Sequence, residues 1–182
     1  LAGAANELRL AHGLPPLAYA TLRPMVGTGA RGMIAAAFDL GPGDSGFDAL
    51  REDFLCRYEA RILRDTRVFS GMPLVLQALE AAGLPWGIVT NKVQRFSAPL
   101  VQGLGLSSRC AVLISGDTTA HAKPHPQPLL EAARRLGLAP EHCVYVGDDL
   151  RDVQAGQGAG MATLAAGWGY LGPEAPIDQW NA

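Results

Sequence analysis

Charge of one sign is the first thing this 182-residue chain lacks: 15 Lys and Arg stand against 17 Asp and Glu, for a net charge of −2, and no basic run occurs. That balance leaves no electrostatic footprint for nucleic acid or for an anionic membrane surface. Long apolar runs are missing too, none approaching the ~20 residues that span a bilayer. Cysteine is scarce. Cys56, Cys110 and Cys143 are odd in number and far apart, which suggests neither a disulfide framework nor a metal knuckle and reads as reduced core thiols of a cytoplasmic protein. The first residue is Leu1 rather than Met, so the absence of a leader pattern says little about targeting. What is present is a 48% hydrophobic content, enough for a real core in one domain or in one domain with an insertion.

Two unlike parts follow along the chain. Residues 1–68 show helical patterns separated by Gly and Pro: Ala2 to His12 with Gly13 as its stop, Met33 to Phe38, and Phe47 to Leu63, where Phe47, Leu50, Phe54, Leu55, Tyr58 and Ile62 recur at helical spacing. Residues 69–182 alternate instead. Helices are expected over 73–82, 94–104, 126–136 and 152–159, with short apolar strands over 86–89, 111–114, 143–146 and 162–165. Such alternation predicts an α/β fold with a parallel sheet and crossover helices. Gly83, Gly105, Gly137 and Gly160 each follow a helical run, where a left-handed C-cap favours glycine.

Three polar clusters interrupt the second part where strands should end: Thr90-Asn91-Lys92, then Lys123 within Ala122-Lys123-Pro124-His125-Pro126, then Gly147-Asp148-Asp149-Leu150-Arg151-Asp152. In an open α/β sheet the carboxyl ends of strands are where ligands bind, so the three could converge on one edge. A hydroxyl and amide, an ammonium and a carboxylate set are what phosphoryl chemistry requires. Donors orient phosphate oxygens, a lysine neutralises charge building in the transition state, and carboxylates hold Mg²⁺.

The order and spacing of these clusters resemble the haloacid dehalogenase-like (HAD) hydrolases, specifically their phosphatases, over nearly the whole chain. Thr90 matches the Thr/Ser of the second family motif, Lys123 the lysine of the third, and Gly147-Asp148 through Asp152 the acidic fourth. Val26-Gly27-Thr28-Gly29-Ala30-Arg31, Lys123-Pro124-His125-Pro126 and Gly167-Trp168-Gly169-Tyr170 further resemble bacterial phosphoglycolate phosphatases and the related N-acetylmuramic acid 6-phosphate phosphatases. The resemblance implies a Rossmann-like core (69–182) with an inserted helical cap (1–68). It also implies a Mg²⁺-dependent phosphatase of small phosphate esters, working through an aspartyl-phosphate. The implied roles are catalysis for Thr90, Lys123, Asp148 and Asp152, substrate binding for Thr90, Asn91, Lys123 and Arg31, and metal binding for Asp148 with Asp149. The aspartate that attacks phosphorus belongs to a first motif, Asp-x-Asp, and no such pair occurs in the 182 residues. The expectation is a chain truncated at both ends, itself without turnover, and missing the central strand between those ending at Thr90 and Asp148.

Plainer readings exist for each residue. Asp148, Asp149 and Asp152 could be a helix N-cap with first-turn acids. Lys123 alone could be a solvated surface lysine, although Pro124 and Pro126 stiffen its loop. Thr90 and Asn91 could merely end a strand, and Arg31 could be a solvated cap charge. Phe38-Asp39-Leu40-Gly41 mimics the start of the first motif, but Gly41 takes the second aspartate's place, so Asp39 reads as a helix-end residue. A dehalogenase would not need Asp148, a phosphomutase would share every motif, and a receiver-type signalling domain places its acids first and its lysine last, the reverse of Thr90, Lys123, Asp148.

Overall fold

Four helices account for the first third of the chain: α1 (Ala2–Ala11), α2 (Tyr19–Leu22), α3 (Gly29–Phe38) and α4 (Phe47–Ala60). The computed structural model describes residues 1–171 and 175–182. In α1, Ala4, Ala5 and Leu8 share one face, and they pack with Leu22, Met33, Ile34, Phe47, Phe54 and Tyr58 into one buried cluster. Removing each large side chain from water contributes roughly 1.5–3 kcal/mol, and the two alanines let α1 lie close against α3 and α4. The glycine-rich stretch before Met33 folds into a 3-10 turn over Arg23–Thr28 and the first turn of α3. Asp39 ends α3 in the left-handed conformation (φ 56°), as its reading as a helix-end residue requires.

The remainder alternates as expected: α5 (Met72–Ala81), β1 (Gly87–Val89), α6 (Gln94–Gly103), β2 (Val112–Ile114), α7 (Gln127–Leu136), β3 (Val144–Gly147), α8 (Leu150–Gly158) and β4 (Ala162–Ala165). The strands form two parallel pairs, β1 with β2 and β3 with β4, and among the described residues no ladder joins the pairs. Helix α7 packs on β1, β2 and α8, and Leu129 and Ala133 of α7 meet Ala155, Ala159 and Met161 in a cluster that also takes in Val89 and Tyr145. One helix thereby fixes the two strand pairs relative to each other.

Two expectations need correction. The run from Cys143 to Val146 predicts a buried strand, yet Val144 and Val146 are 60% and 48% exposed. Helix α8 packs on β3 and β4, and only Tyr145 and Gly147, alternating with the two valines, are partly covered. Cys56 is an exposed residue of α4 rather than a core thiol, while Cys110 and Cys143 are half-buried, and all three are free. Among the described residues no helix is long and apolar enough to cross a membrane.

Candidate active site

The end of β1 fixes the first part of the site. Thr90 extends the ladder by donating its backbone N–H to the Ile114 carbonyl (2.9 Å), and its Oγ1 accepts the Lys92 N–H at 3.1 Å. Among the described residues the Thr90 hydroxyl donates to no acceptor, and its proton can turn to a ligand. Asn91 clamps a distant loop: its Nδ2 donates to the Lys123 carbonyl and its Oδ1 accepts the Lys123 N–H, each at 2.9 Å. This pair of bonds brings Lys123, 32 residues on, to the end of β1. The Lys123–Pro124 peptide is cis.

The Lys123 ammonium has three protons and three partners. It donates to the Val89 carbonyl (2.9 Å), the Tyr145 hydroxyl (2.8 Å) and Asp152 Oδ1 (2.7 Å). Tyr145 Oη also donates to the Val89 carbonyl at 2.9 Å, so two side chains bridge the space between β1 and β3 that no ladder spans. Burial, then the charge of Asp152, pushes the Tyr145 hydroxyl well above its ordinary pKa, which keeps it a proton donor at any working pH. Asp152 is buried, 7% exposed, and its second oxygen accepts the Asp148 N–H at 3.1 Å. The absence of a side chain at residue 147 makes this approach possible: a Cβ there would lie 2.2 Å from Asp152 Cβ.

Asp148 follows directly at the end of β3. Its Oδ2 accepts the Tyr170 N–H at 2.8 Å, and Gly169 is close enough that a Cβ on it would sit 2.1 Å from Asp148 Cβ. Among the described residues Oδ1 of Asp148 accepts no hydrogen bond, so one carboxylate oxygen stays open to a cation. Asp149 is occupied differently. It caps α8 by accepting the Arg151 N–H (3.0 Å), and both of its oxygens accept from the Arg151 guanidinium. Burial pushes the Asp149 carboxyl up, but the hydrogen bonds and charge of Arg151 outweigh it and hold the pKa below the ordinary value.

The helical part meets this edge along a seam. Arg151 also donates to the Gly27 carbonyl (2.8 Å), and Arg23 donates to the Gly169 carbonyl (2.7 Å) while lying over the Tyr170 ring. Arg95 pairs with Glu59 of α4. Lys92 Nζ sits 4.6 Å from the centroid of the Tyr58 ring, which packs in turn on Phe96.

The structure thus brings together Thr90, Asn91, Lys123, Asp148 and Asp152 at one strand-end edge. Arg31 is set apart, exposed on α3, and none of the hydrogen bonds described ties it to the others. The amide of Asn91 gives one Nδ2 proton and its oxygen to the Lys123 backbone, and its second Nδ2 proton makes none of the hydrogen bonds described. Sequence reasoning missed Tyr145, whose one signal was a hydroxyl-bearing aromatic in an otherwise aliphatic strand. It also missed Arg151 as the partner of Asp149, which nothing in their separation of two residues announces. Chemically, the edge offers an open carboxylate oxygen, a free hydroxyl proton and an ammonium held by a buried carboxylate. Among the described residues no group of three His, Cys, Asp or Glu gathers to hold a metal, but Mg²⁺ usually takes one or two carboxylates and fills its remaining positions with water and phosphate oxygens. Asp148 with its open oxygen fits that donor set, and Asp149 with both oxygens engaged does not.

Comparison with known proteins gives a consistent picture. The family profile described as haloacid dehalogenase-like hydrolase matches residues 2–160. A phosphoglycolate phosphatase of Xanthomonas campestris pv. campestris is 48% identical over 178 residues, covering 97% of this chain and 80% of that protein. An N-acetylmuramic acid 6-phosphate phosphatase of Pseudomonas aeruginosa is 43% identical over 177 residues, covering 97% and 78%. Among solved structures, a protein described as a predicted phosphoglycolate phosphatase from Haemophilus somnus superposes with a TM-score of 0.84 at 25% identity, covering 98% of this chain and 82% of that one.

Proposed function

Since the chain belongs to the haloacid dehalogenase-like hydrolases, we propose that it forms most of a Mg²⁺-dependent phosphatase of small carboxylated phosphate esters, with phosphoglycolate as first substrate and N-acetylmuramic acid 6-phosphate as the alternative. The observation that carries this reading is the convergence of Thr90, the Lys123–Asp152 pair and Asp148 on one strand-end edge. In phosphoryl transfer the protein's work is positioning and electrostatic stabilisation, which needs hydroxyl donors, a fixed cation and a metal-binding carboxylate.

Thr90 donates its free hydroxyl proton to a phosphate oxygen. Lys123 exchanges one of its neutral partners, the Val89 carbonyl or the Tyr145 hydroxyl, for a second phosphate oxygen while Asp152 holds it in place. Asn91 fixes the Lys123 backbone, and Asp149 serves α8 as its cap. Asp148 would hold Mg²⁺ through Oδ1, and a bound Mg²⁺ supplies charge neutralisation on the phosphoryl oxygens. The chain carries no Asp-x-Asp pair, so the attacking aspartate lies outside these 182 residues, on a strand between β1 and β3. Support for that position comes from the separation of the described strands into two pairs and from the Val89 carbonyl being satisfied by side chains. The aspartate oxygen bonds phosphorus as the ester oxygen departs and takes up a proton, and water then cleaves the aspartyl-phosphate to inorganic phosphate. The three free thiols fit a reducing, cytoplasmic setting.

Phosphate release by the full-length protein, compared between the two substrates and with Lys123→Ala, tests this reading. Turnover that falls by roughly two to four orders of magnitude in the variant is expected. Unchanged turnover would remove Lys123 from the site, and no turnover on either ester would remove the function.

A further inference from the structure

We propose that Lys92 is the specificity-determining residue that binds a substrate carboxylate, its ammonium reading the second anionic group of the ester at the seam between the helical part and the sheet part. The inference rests on the phosphatase reading above and assigns a residue to the chemistry that separates carboxylated from neutral phosphate esters.

The backbone of Lys92 is fixed at both ends. Its N–H is bound to Thr90 Oγ1 (3.1 Å), and its carbonyl accepts the Gly116 N–H (2.9 Å). Gly116 admits that approach, since a Cβ there would lie 2.2 Å from the Asn91 carbonyl oxygen. Two residues span at most ~7 Å, so a small molecule held at Thr90 is within the reach of this side chain. From there the chain of methylenes crosses to α4 and leaves Nζ on the face of Tyr58.

The surroundings give that ammonium no counter-ion. Most other cations described along this face have a carboxylate: Arg95 has Glu59, Arg151 has Asp149, Arg57 has Asp53, and Arg61 has Glu7 and Asp65, whereas Arg23 is held by the Gly169 carbonyl and the Tyr170 ring, and the Leu1 ammonium is a like-charged neighbour of Lys92. Lys123 has Asp152. Among the described residues Lys92 pairs with no acid, and the ring of Tyr58 is its one described partner. Burial holds its pKa down to about 8, so it is still charged at neutrality. A half-buried ammonium without an anion gains more from an incoming carboxylate than a solvated or already paired one. Phosphoglycolate carries its carboxylate one methylene from the ester oxygen, N-acetylmuramic acid 6-phosphate carries one on the lactyl ether across the sugar ring from the phosphate, and simple sugar phosphates carry none.

The test compares kcat/KM of the full-length protein for phosphoglycolate and for hydroxyethyl phosphate, in which a neutral hydroxymethyl group replaces the carboxylate. The wild type is expected to favour phosphoglycolate, Lys92→Met to shrink that preference by about 10- to 100-fold, and Lys92→Arg to keep most of it. A preference that is absent in the wild type, or that survives in Lys92→Met, overturns the assignment while leaving the phosphatase reading intact. If neither ester is hydrolysed, the phosphatase reading fails and titration calorimetry decides for Lys92. Tighter binding of phosphoglycolate than of hydroxyethyl phosphate, equalised in Lys92→Met, supports it, and equal or absent binding overturns it.

Discussion

Replacing Asp152 by alanine exposes the energetics on which the site depends. Asp152 Oδ1 is 2.7 Å from Lys123 Nζ, with both side chains only 9% exposed, so the variant leaves a buried ammonium with two neutral acceptors and no counter-charge. Removing one partner of such a pair costs about 3–5 kcal/mol. The same change strips the Asp148 N–H of its acceptor and removes an acid from the first turn of α8, the latter worth ~0.3–1 kcal/mol. For a protein of this size the loss corresponds to a fall in Tm of roughly 6–20 °C, readable by calorimetry or urea unfolding. The double variant Asp152→Ala with Lys123→Met removes the stranded charge, and it is expected to be more stable than Asp152→Ala alone. A loss below about 1 kcal/mol in the single variant, or a double variant less stable than the single, would refute the claim that the two residues are a buried, mutually dependent pair.

Three further outcomes follow from the same geometry. Asn91→Ala removes both bonds that hold the Lys123 backbone and is expected to lower kcat about tenfold with little change in stability, since each exposed bond contributes ~1 kcal/mol or less; unaltered steady-state kinetics would contradict this. Gly147→Ala sets a Cβ 2.2 Å from Asp152 Cβ and should cost about 1–3 kcal/mol by overpacking, measured by urea unfolding, with a neutral effect counting against the close approach. Lys92 has a folded pKa of about 8 against an ordinary 10.5, through burial, so between those values the unfolded chain binds a proton that the folded chain has released, and stability rises with pH. Tyr58, raised by burial to about 12, and the Leu1 ammonium, lowered by burial to about 6, titrate in the unfolded chain at their ordinary values near 10 and 8, but both are present in the wild type and in Lys92→Met, so to first order they drop out of the difference. The wild type should therefore gain ~3 kcal/mol relative to Lys92→Met as pH rises through it, and a constant difference would refute the burial of that charge.

The alternation of helices and parallel strands was legible because Gly and Pro punctuate it and because short apolar runs such as Ala162–Ala165 have no other use. The strand-end location of Thr90, Lys123 and Asp148 followed from that alternation. What the sequence hid was mutual: that the Asn91 amide closes on the Lys123 backbone, that Tyr145 shares the Val89 carbonyl with Lys123, and that Arg151 occupies Asp149. Each is a contact set by folding between segments, or by a rotamer choice, and periodicity carries neither. The exposure of Val144 and Val146 was equally hidden, because an apolar run records what a strand can bury and not what covers it.

Magnesium binding at Asp148 is the part of the proposed function on which phosphoryl transfer depends most. Release of inorganic phosphate from phosphoglycolate by the full-length protein, measured with added Mg²⁺, with a chelator, and in Asp148→Asn, tests it most directly. Turnover should require the metal and fall by about 10²-fold or more in the variant. Turnover that persists under chelation, or that matches the wild type in Asp148→Asn, would contradict the account.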